Sequence, residues 1–126
     1  MTKDEDLSYW IEIFRKNSII QAGTNNTGDY KKGNQCYEKM FQAFEEIKKL
    51  DYPEYNHYVA LLDDDEVSVQ VNAAWDLLDT KHQLKAKKTL KNISKSGLPM
   101  LGLDAESKLN VWNEKNSWWA KMKALF

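Results

Sequence analysis

The most informative segment for the architecture is Asp65-Glu66-Val67-Ser68-Val69-Gln70-Val71-Asn72-Ala73-Ala74-Trp75-Asp76-Leu77. Val67, Val71, Ala74 and Trp75 recur at intervals of three and four residues, which places them on one face of an α-helix. The adjacent alanines are small and let a second helix approach closely. The segment therefore predicts a helix that packs inside a helical assembly.

The same helical periodicity continues on both sides of this segment, and few stretches alternate with the period of two that marks a strand. Residues 22–28 are the exception, because glycine, asparagine and threonine favour turns, and they predict a loop. Gly33 inside the second helix indicates a neighbouring backbone that passes close. The predicted helices cover about residues 2–17, 29–50, 53–62, 67–78, 80–95 and 99–115, and residues 116–126 form a short amphipathic helix or a docked tail.

Helix starts are indicated by residues that can satisfy free backbone N–H groups. Thr2 with Glu5 and Thr80 with Gln83 have the spacing of capping boxes. The acidic run 63–66 offers carboxylates to the start of the central helix. Each of these three places is therefore predicted to begin a helix.

Six or seven helices joined by connections of two to five residues predict an all-α fold. Short connections make consecutive helices antiparallel neighbours, so the alternatives are a compact bundle and a short stack of helical hairpins. The 126 residues suit a single domain over the whole chain, with 116–126 as an amphipathic C-terminal tail.

A resemblance makes the second alternative more specific. Residues 65–77 resemble the first helix of a HEAT repeat, and the wider chain resembles a small bacterial family of HEAT-like helical proteins catalogued as a domain of unknown function. That wider resemblance rests on residues 28–37 and 101–112. It implies a short HEAT/ARM-like α-α superhelix, a right-handed stack of antiparallel helical hairpins, and it implies no reaction. The HEAT motif positions are filled by Val69, Gln70, Ala73, Ala74 and Leu77.

The composition excludes several classes of protein. Hydrophobic residues make up 42% and charged residues 29%, which is ordinary for a globular domain. No apolar run approaches the ~20 residues that span a bilayer, and the N-terminus lacks the order of a signal peptide. One cysteine excludes an internal disulfide framework. We therefore expect a cytoplasmic protein without a membrane partner.

The residues that usually carry chemistry are not arranged for it. His57 and His82 have no second ligand at zinc spacing, and Cys36 lies beside an apolar stripe. The acidic run 63–66 lacks the layout of a calcium loop, and Asp104 is expected to cap a helix. The sequence thus predicts no catalytic residue, metal or cofactor, and the protein is not expected to be an enzyme.

Charge is segregated along the chain although the net charge is only −1. Residues 51–79 hold eight acidic and no basic residues, whereas residues 80–95 hold six lysines and no acidic residue. The two stretches could pair with each other across a helical hairpin, or either could meet a partner.

These features favour a non-catalytic domain that binds a protein. The specific hypothesis is an immunity protein that neutralises a cognate bacterial toxin, because an acidic stretch suits a basic toxin domain and aromatic residues anchor interfaces. The interface candidates are Tyr55, Tyr58, Asp63, Asp64, Asp65 and Glu66, followed by Trp118 and Trp119.

Two alternatives remain. One is a structural adaptor. The other is a helical repeat that binds nucleic acid, which is less favoured because Arg15 is the only arginine and the acidic stretch repels a polyanion. Its contact face would be Lys81, Lys85, Lys88, Lys91 and Lys95. The sequence leaves the partner and the oligomeric state open.

Overall fold

The computed structural model describes residues 2–125, except the side chains of residues 25 and 26, and this part of the chain is all-helical. It contains no strand between residues 2 and 125, which confirms the all-α prediction. Phe126, the last residue of the predicted tail, lies outside the described residues, as does Met1. The elements are α1 (Lys3–Thr27), α2 (Tyr30–Asp51), α3 (Asn56–Val59), a 3-10 helix (Ala60–Asp63), α4 (Val67–Leu77), α5 (Gln83–Ser94) and α6 (Pro99–Leu125).

The first two helices form an antiparallel hairpin, and its turn is much tighter than predicted. The loop expected over residues 22–28 is wrong, because α1 continues to Thr27 and only Gly28, with φ of 75°, and Asp29, the N-cap of α2, separate the two helices. Thr24 donates its hydroxyl to the Gln21 carbonyl at 2.7 Å, and both residues are buried. Tertiary burial therefore overrides the weak helix propensity of this segment.

Gly33 lies where α2 crosses the end of α1. A Cβ added at Gly33 would lie 2.8 Å from Thr24 Oγ1, which is closer than packed atoms approach. The close neighbour is thus a side chain of α1, whereas the sequence predicted a backbone. The glycine lets the two helices meet closely at this end of the hairpin.

The connection after α2 differs from the prediction, because the third helix begins at Asn56 and not at Pro53. Tyr55 precedes it in the left-handed region, with φ of 54°. The carboxylate of Asp51 accepts hydrogen bonds from the backbone N–H groups of His57 (3.0 Å) and Tyr58 (3.3 Å). The end of α2 therefore caps the start of α3.

Helix α4 lies at the centre of the molecule. It packs against α1, α5, α6 and the 3-10 helix, and Ala73 and Ala74 are completely buried, as their small size predicted. The buried core runs from Leu7 and Phe14 on α1 to Trp112 on α6.

The last two helices correct three predictions. Helix α5 follows His82, so Thr80 is not the N-cap of this helix. The Thr80 hydroxyl instead donates to the Leu77 carbonyl and accepts from the His82 N–H. Asp104 lies inside α6 and pairs with Lys108, so it does not cap a helix. Helix α6 does not end near residue 115 but continues to Leu125, since nothing in that stretch breaks a helix. No helix within residues 2–125 is both long and apolar enough to cross a membrane.

Candidate protein-binding groove

Two adjoining clefts form one open groove between α2 and α6, with α4 as its floor. Their volumes are about 520 and 430 Å³, and they share Phe41, Phe44, Trp75 and Asp76. We call this surface the α2–α6 groove. Its other lining residues are Phe14, Tyr37, Met40, Asn72, Asp104, Ser107, Lys108 and Val111 in the larger cleft and Glu45, Lys48, Tyr55, Asp79, Thr80 and Trp112 in the smaller one.

The floor combines aromatic rings with a carboxyl group. Tyr58, from below, donates its hydroxyl to Asp76 Oδ2 at 2.5 Å, and its ring packs between Phe14 (centroids 5.1 Å apart) and Phe44 (4.8 Å). Trp75 is adjacent to Asp76 and more exposed. A rigid aromatic cluster therefore holds one acidic group at the bottom of the groove.

Burial raises the pKa of Asp76 to about 7, while the hydrogen bond from Tyr58 and the charges of Lys48 and Lys108 act in the opposite direction. Burial and the neighbouring carboxylate together raise the pKa of the Tyr58 hydroxyl well above its ordinary value. A carboxyl group with a raised pKa in a cleft often marks a functional site. Here it supplies a hydrogen-bonding group whose charge changes near neutral pH.

The rims of the groove carry ion pairs and cation–π contacts. Lys108 Nζ lies 2.8 Å from Asp104 Oδ1 and 5.9 Å from the centroid of Trp75. Lys48 Nζ lies 4.8 Å from the centroid of Phe44. The aromatic surface of the groove is thus of a kind that already accommodates positively charged groups.

Possible metal ligands are not clustered in the part of the chain that the structure describes, and the free thiol lies outside the groove lining. Within residues 2–125, no three His, Cys, Asp or Glu side chains converge as a metal site would require. Cys36 is a buried free thiol and does not line either cleft. What the groove offers is shape, aromatic area and a few polar groups.

The two predicted interface tyrosines belong to the core. Tyr58 is 0% exposed and Tyr55 5%, so Tyr58 cannot contact a partner and Tyr55 contributes only a wall of the smaller cleft. Their spacing from Val59 and Leu62 matched a helical stripe, and burial of that stripe takes both rings inside. The prediction of Tyr58 as a direct interface residue is therefore wrong, whereas Tyr55 stays a prediction as part of the wall of the smaller cleft.

The acidic run 63–66 lies outside the lining of the groove, and two of its four carboxylates form ion pairs with other parts of the chain. Asp64 pairs with Arg15 at 2.9 Å and accepts the Glu66 N–H, and Asp63 pairs with Lys85 at 3.0 Å. Asp65 and Glu66 are exposed. Glu66 is the N-cap of α4 without a side-chain hydrogen bond, so the run does not cap α4 as predicted.

The predicted lysine face also contains both residues that form ion pairs within the chain and residues that are exposed. Lys81 pairs with Glu54 and Lys85 with Asp63, which realises part of the expected pairing between the acidic and basic stretches. Lys88, Lys91 and Lys95 are exposed and line a shallow depression on α5 of about 300 Å³, together with Leu84, Lys87 and Asn92.

Trp118 and Trp119 lie on the outer half of α6. They are 54% and 49% exposed, and their rings meet edge to face with centroids 5.2 Å apart. Their exposure agrees with a role in an interface, although they line neither cleft of the groove.

Sequence reasoning missed most of the groove, including Tyr37, Phe41, Trp75, Asp76 and Lys108. Phe41 and Trp75 each fit the helical periodicity of their neighbours, which is typical of buried positions, yet Phe41 is 68% exposed and Trp75 38%. One feature of the sequence could have predicted these exposed aromatic residues. The apolar side chains of α2 cover a wider part of the helix circumference than a single neighbouring helix can bury.

Comparisons with known proteins establish the fold of this chain and nothing beyond it. No protein-family model matches the chain, and no curated protein matches its sequence. The crystal structure of the protein RPA1889 from Rhodopseudomonas palustris CGA009 is similar to this one, with a TM-score of 0.75 over 90% of each chain. The two sequences are 20% identical, so the shared feature is the all-helical architecture.

Proposed function

We propose that this protein is a non-catalytic protein-binding domain and that the α2–α6 groove receives a segment of its partner. The observation that carries the proposal is the exposed aromatic lining of the groove around the partly buried carboxyl group of Asp76. Open apolar grooves between helices commonly accept an amphipathic helix. Aromatic anchors at the centre of such a surface supply most of the binding energy.

The chemistry of the groove favours a partner segment that carries a basic residue. Its lining contains four carboxyl groups and two lysines, and both lysines are already paired with carboxylates of the lining, Lys108 with Asp104 and Lys48 with Glu45. A lysine or arginine of the partner could reach Asp76 across the face of Trp75, where a positive charge is stabilised by the ring. Asp65 and Glu66, which are exposed, add to the attraction of a basic partner.

The more specific proposal is that the partner is a basic bacterial toxin and that the protein is a cytoplasmic immunity protein. It is supported by the excess of carboxyl groups over lysines in the groove lining and by the aromatic side chains beside them.

We further propose that the helical hairpins form a short HEAT-like superhelix. Support comes from the antiparallel course of α5 and α6, in which Gly102 packs near the Ile93 carbonyl and Lys87 lies over Trp112.

Affinity capture from the source cell tests the proposal. Phe41→Asp places a charge in the groove at a residue that is 68% exposed, so the fold should tolerate it. Tyr30→Asp is the matched control, because Tyr30 is an aromatic residue of the same helix, 77% exposed, and lines neither cleft. We expect the wild type and the control to retain one protein in stoichiometric amount and Phe41→Asp to lose it.

Retention of the same protein by Phe41→Asp would remove the groove from the interface, and retention of no protein would contradict the function. For the immunity hypothesis, the captured protein should arrest growth when it is expressed alone, and co-expression with wild type should restore growth. Phe41→Asp should fail to restore growth.

Nucleic-acid binding remains the second candidate, because Lys88, Lys91 and Lys95 line one depression that contains no acidic residue. If this face binds nucleic acid, the affinity should fall steeply with salt and Lys91→Glu should weaken it about tenfold at low salt. A gel-shift titration against single- and double-stranded oligonucleotides measures this, and the absence of a shift at low salt would reject the candidate.

A further inference from the structure

The outer half of α6 extends away from the rest of the molecule. The last buried residue of the helix is Trp112, and residues 113–125 are exposed with the partial exception of Met122. Thirteen helical residues span about 20 Å. An isolated helix of this length is only marginally stable in water. We therefore expect a packing partner to stabilise this part of α6 and to cover its exposed aromatic side chains.

An apolar stripe runs along this free helix. Val111, Trp118 and Leu125 are seven residues apart and are 52%, 54% and 78% exposed, with Met122 beside them. We call these four residues the tail stripe. Apolar residues at a spacing of seven lie on one side of a helix and are typical of helices that pair with another helix. Val111 is the only member of the stripe that also lines the α2–α6 groove.

The charges beside the tail stripe select the direction of such a pairing. Glu114 precedes Trp118 by one turn and Lys121 follows it by one turn, and both lie on the same side of the stripe because they are seven residues apart. In an antiparallel pair of α6 helices that cross at Trp118, Glu114 of each copy faces Lys121 of the other. In a parallel pair, the two-fold axis would place these residues on opposite sides of the seam, so Glu114 of one copy and Lys121 of the other would not meet.

We propose that a second copy of this chain covers the tail stripe and that the two α6 helices pack antiparallel about a two-fold axis at Trp118. The arrangement brings Leu125 of one copy over Val111 of the other and places Trp118 at the centre. Its contact is the same patch on both copies, so the assembly closes as a dimer. The proposal goes beyond protein binding in the groove, because it rests on the tail stripe, which shares only Val111 with the groove lining.

Sedimentation equilibrium on the full chain tests this proposal. We expect the wild type to dimerise and both Glu114→Lys and Lys121→Glu to weaken the dimer about tenfold, since each creates two repulsive contacts. The double variant with both changes should restore the wild-type dissociation constant. Glu106→Lys is the matched control, because it makes the same change at an exposed residue of α6 on another side of the helix and should leave the dimer unchanged.

A wild type that stays monomeric up to its solubility limit would overturn the proposal, and so would a double variant that is no better than the single ones. Trp118→Asp should abolish the dimer while circular dichroism shows an unchanged fold, and a Trp118→Asp dimer would equally contradict it. Phe41→Asp should dimerise normally, so failure of the dimer and failure of the groove as a partner site are separate results.

Discussion

Tyr58 and Asp76 form the most consequential pair of residues in the molecule. The hydroxyl donates to the carboxylate at 2.5 Å, below a groove that is lined by seven aromatic side chains. Burying a carboxylate disfavours its charged form, and the pKa of Asp76 rises to about 7 because a single hydrogen bond and distant lysines do not offset this cost. The stability of the fold should therefore depend on the charge of this one group.

The sign of this dependence follows from the raised pKa. The folded protein binds a proton at Asp76 up to about pH 7. The unfolded chain releases that proton near pH 4, so stability falls as the pH rises between these values. Asp76→Asn keeps an acceptor for the Tyr58 hydroxyl without the charge. It should stabilise the protein by roughly 1 to 4 kcal/mol at pH 8 and little at pH 4.

Urea unfolding of Asp76→Asn and wild type at a series of pH values measures the effect. Tyr58→Phe is the companion variant: it removes a hydrogen bond that lowers the pKa of Asp76, so the pH-dependent loss of stability should extend to higher pH. An Asp76→Asn variant whose stability differs from wild type by the same amount at every pH would show that Asp76 is not buried as described.

At the scale of elements, the hairpin of α1 and α2 shows how packing decides where a helix ends. Gly23 lies inside α1 with no atom within 4 Å of the position of an added Cβ, whereas the Cβ of an alanine at Gly33 would meet Thr24 Oγ1 at 2.8 Å. The two glycines thus have different roles. Gly23 only weakens the helix, and Gly33 permits the contact between the helices.

Alanine substitutions at the two glycines should consequently act in opposite directions. Gly23→Ala should stabilise the protein by about 0.5 to 1 kcal/mol through helix propensity. Gly33→Ala should destabilise it by about 1 kcal/mol because overpacking exceeds that gain. Thr24→Ala in the Gly33→Ala background removes the clash and should recover part of the loss. Thermal or urea unfolding of these three variants and the wild type measures this, and a Gly33→Ala variant more stable than wild type would contradict the packing.

The elements could be predicted from the sequence wherever local and tertiary preferences agreed. Thr2 caps α1 by accepting the Glu5 N–H, although the Glu5 carboxylate accepts from the Thr2 hydroxyl and so completes only half of the capping box. Helix α2 differs from its predicted span by one residue at each end. The predictions failed where a distant contact decided the outcome. The helix continues past residue 22 because Thr24 is buried where α2 crosses at Gly33, and the third helix starts late because the Asp51 carboxylate caps it. No local pattern contains this information.

At the scale of the whole molecule, parts of the acidic and basic stretches seen in the sequence form ion pairs within the fold. Links such as Lys81 with Glu54 and Asp64 with Arg15 join neighbouring elements. Half of the acidic run, Asp63 and Asp64, is paired within the fold, and exposed aromatic side chains lie in the groove and along the tail stripe. The sequence predicted aromatic residues as interface anchors, and for the exposed Trp118 and Trp119 this stays a prediction. It could not predict the groove, because Phe41 and Trp75 are brought together only when α2, α4 and α6 pack.

The most direct test of the central claim is a calorimetric titration of the purified partner into wild type, Phe41→Asp and Tyr30→Asp. The groove predicts saturable binding of one partner per chain. It also predicts an affinity at least about tenfold weaker for Phe41→Asp, in the range of an aromatic anchor, and an unchanged affinity for Tyr30→Asp. Equal affinities for wild type and Phe41→Asp would contradict the assignment of the α2–α6 groove as the binding site.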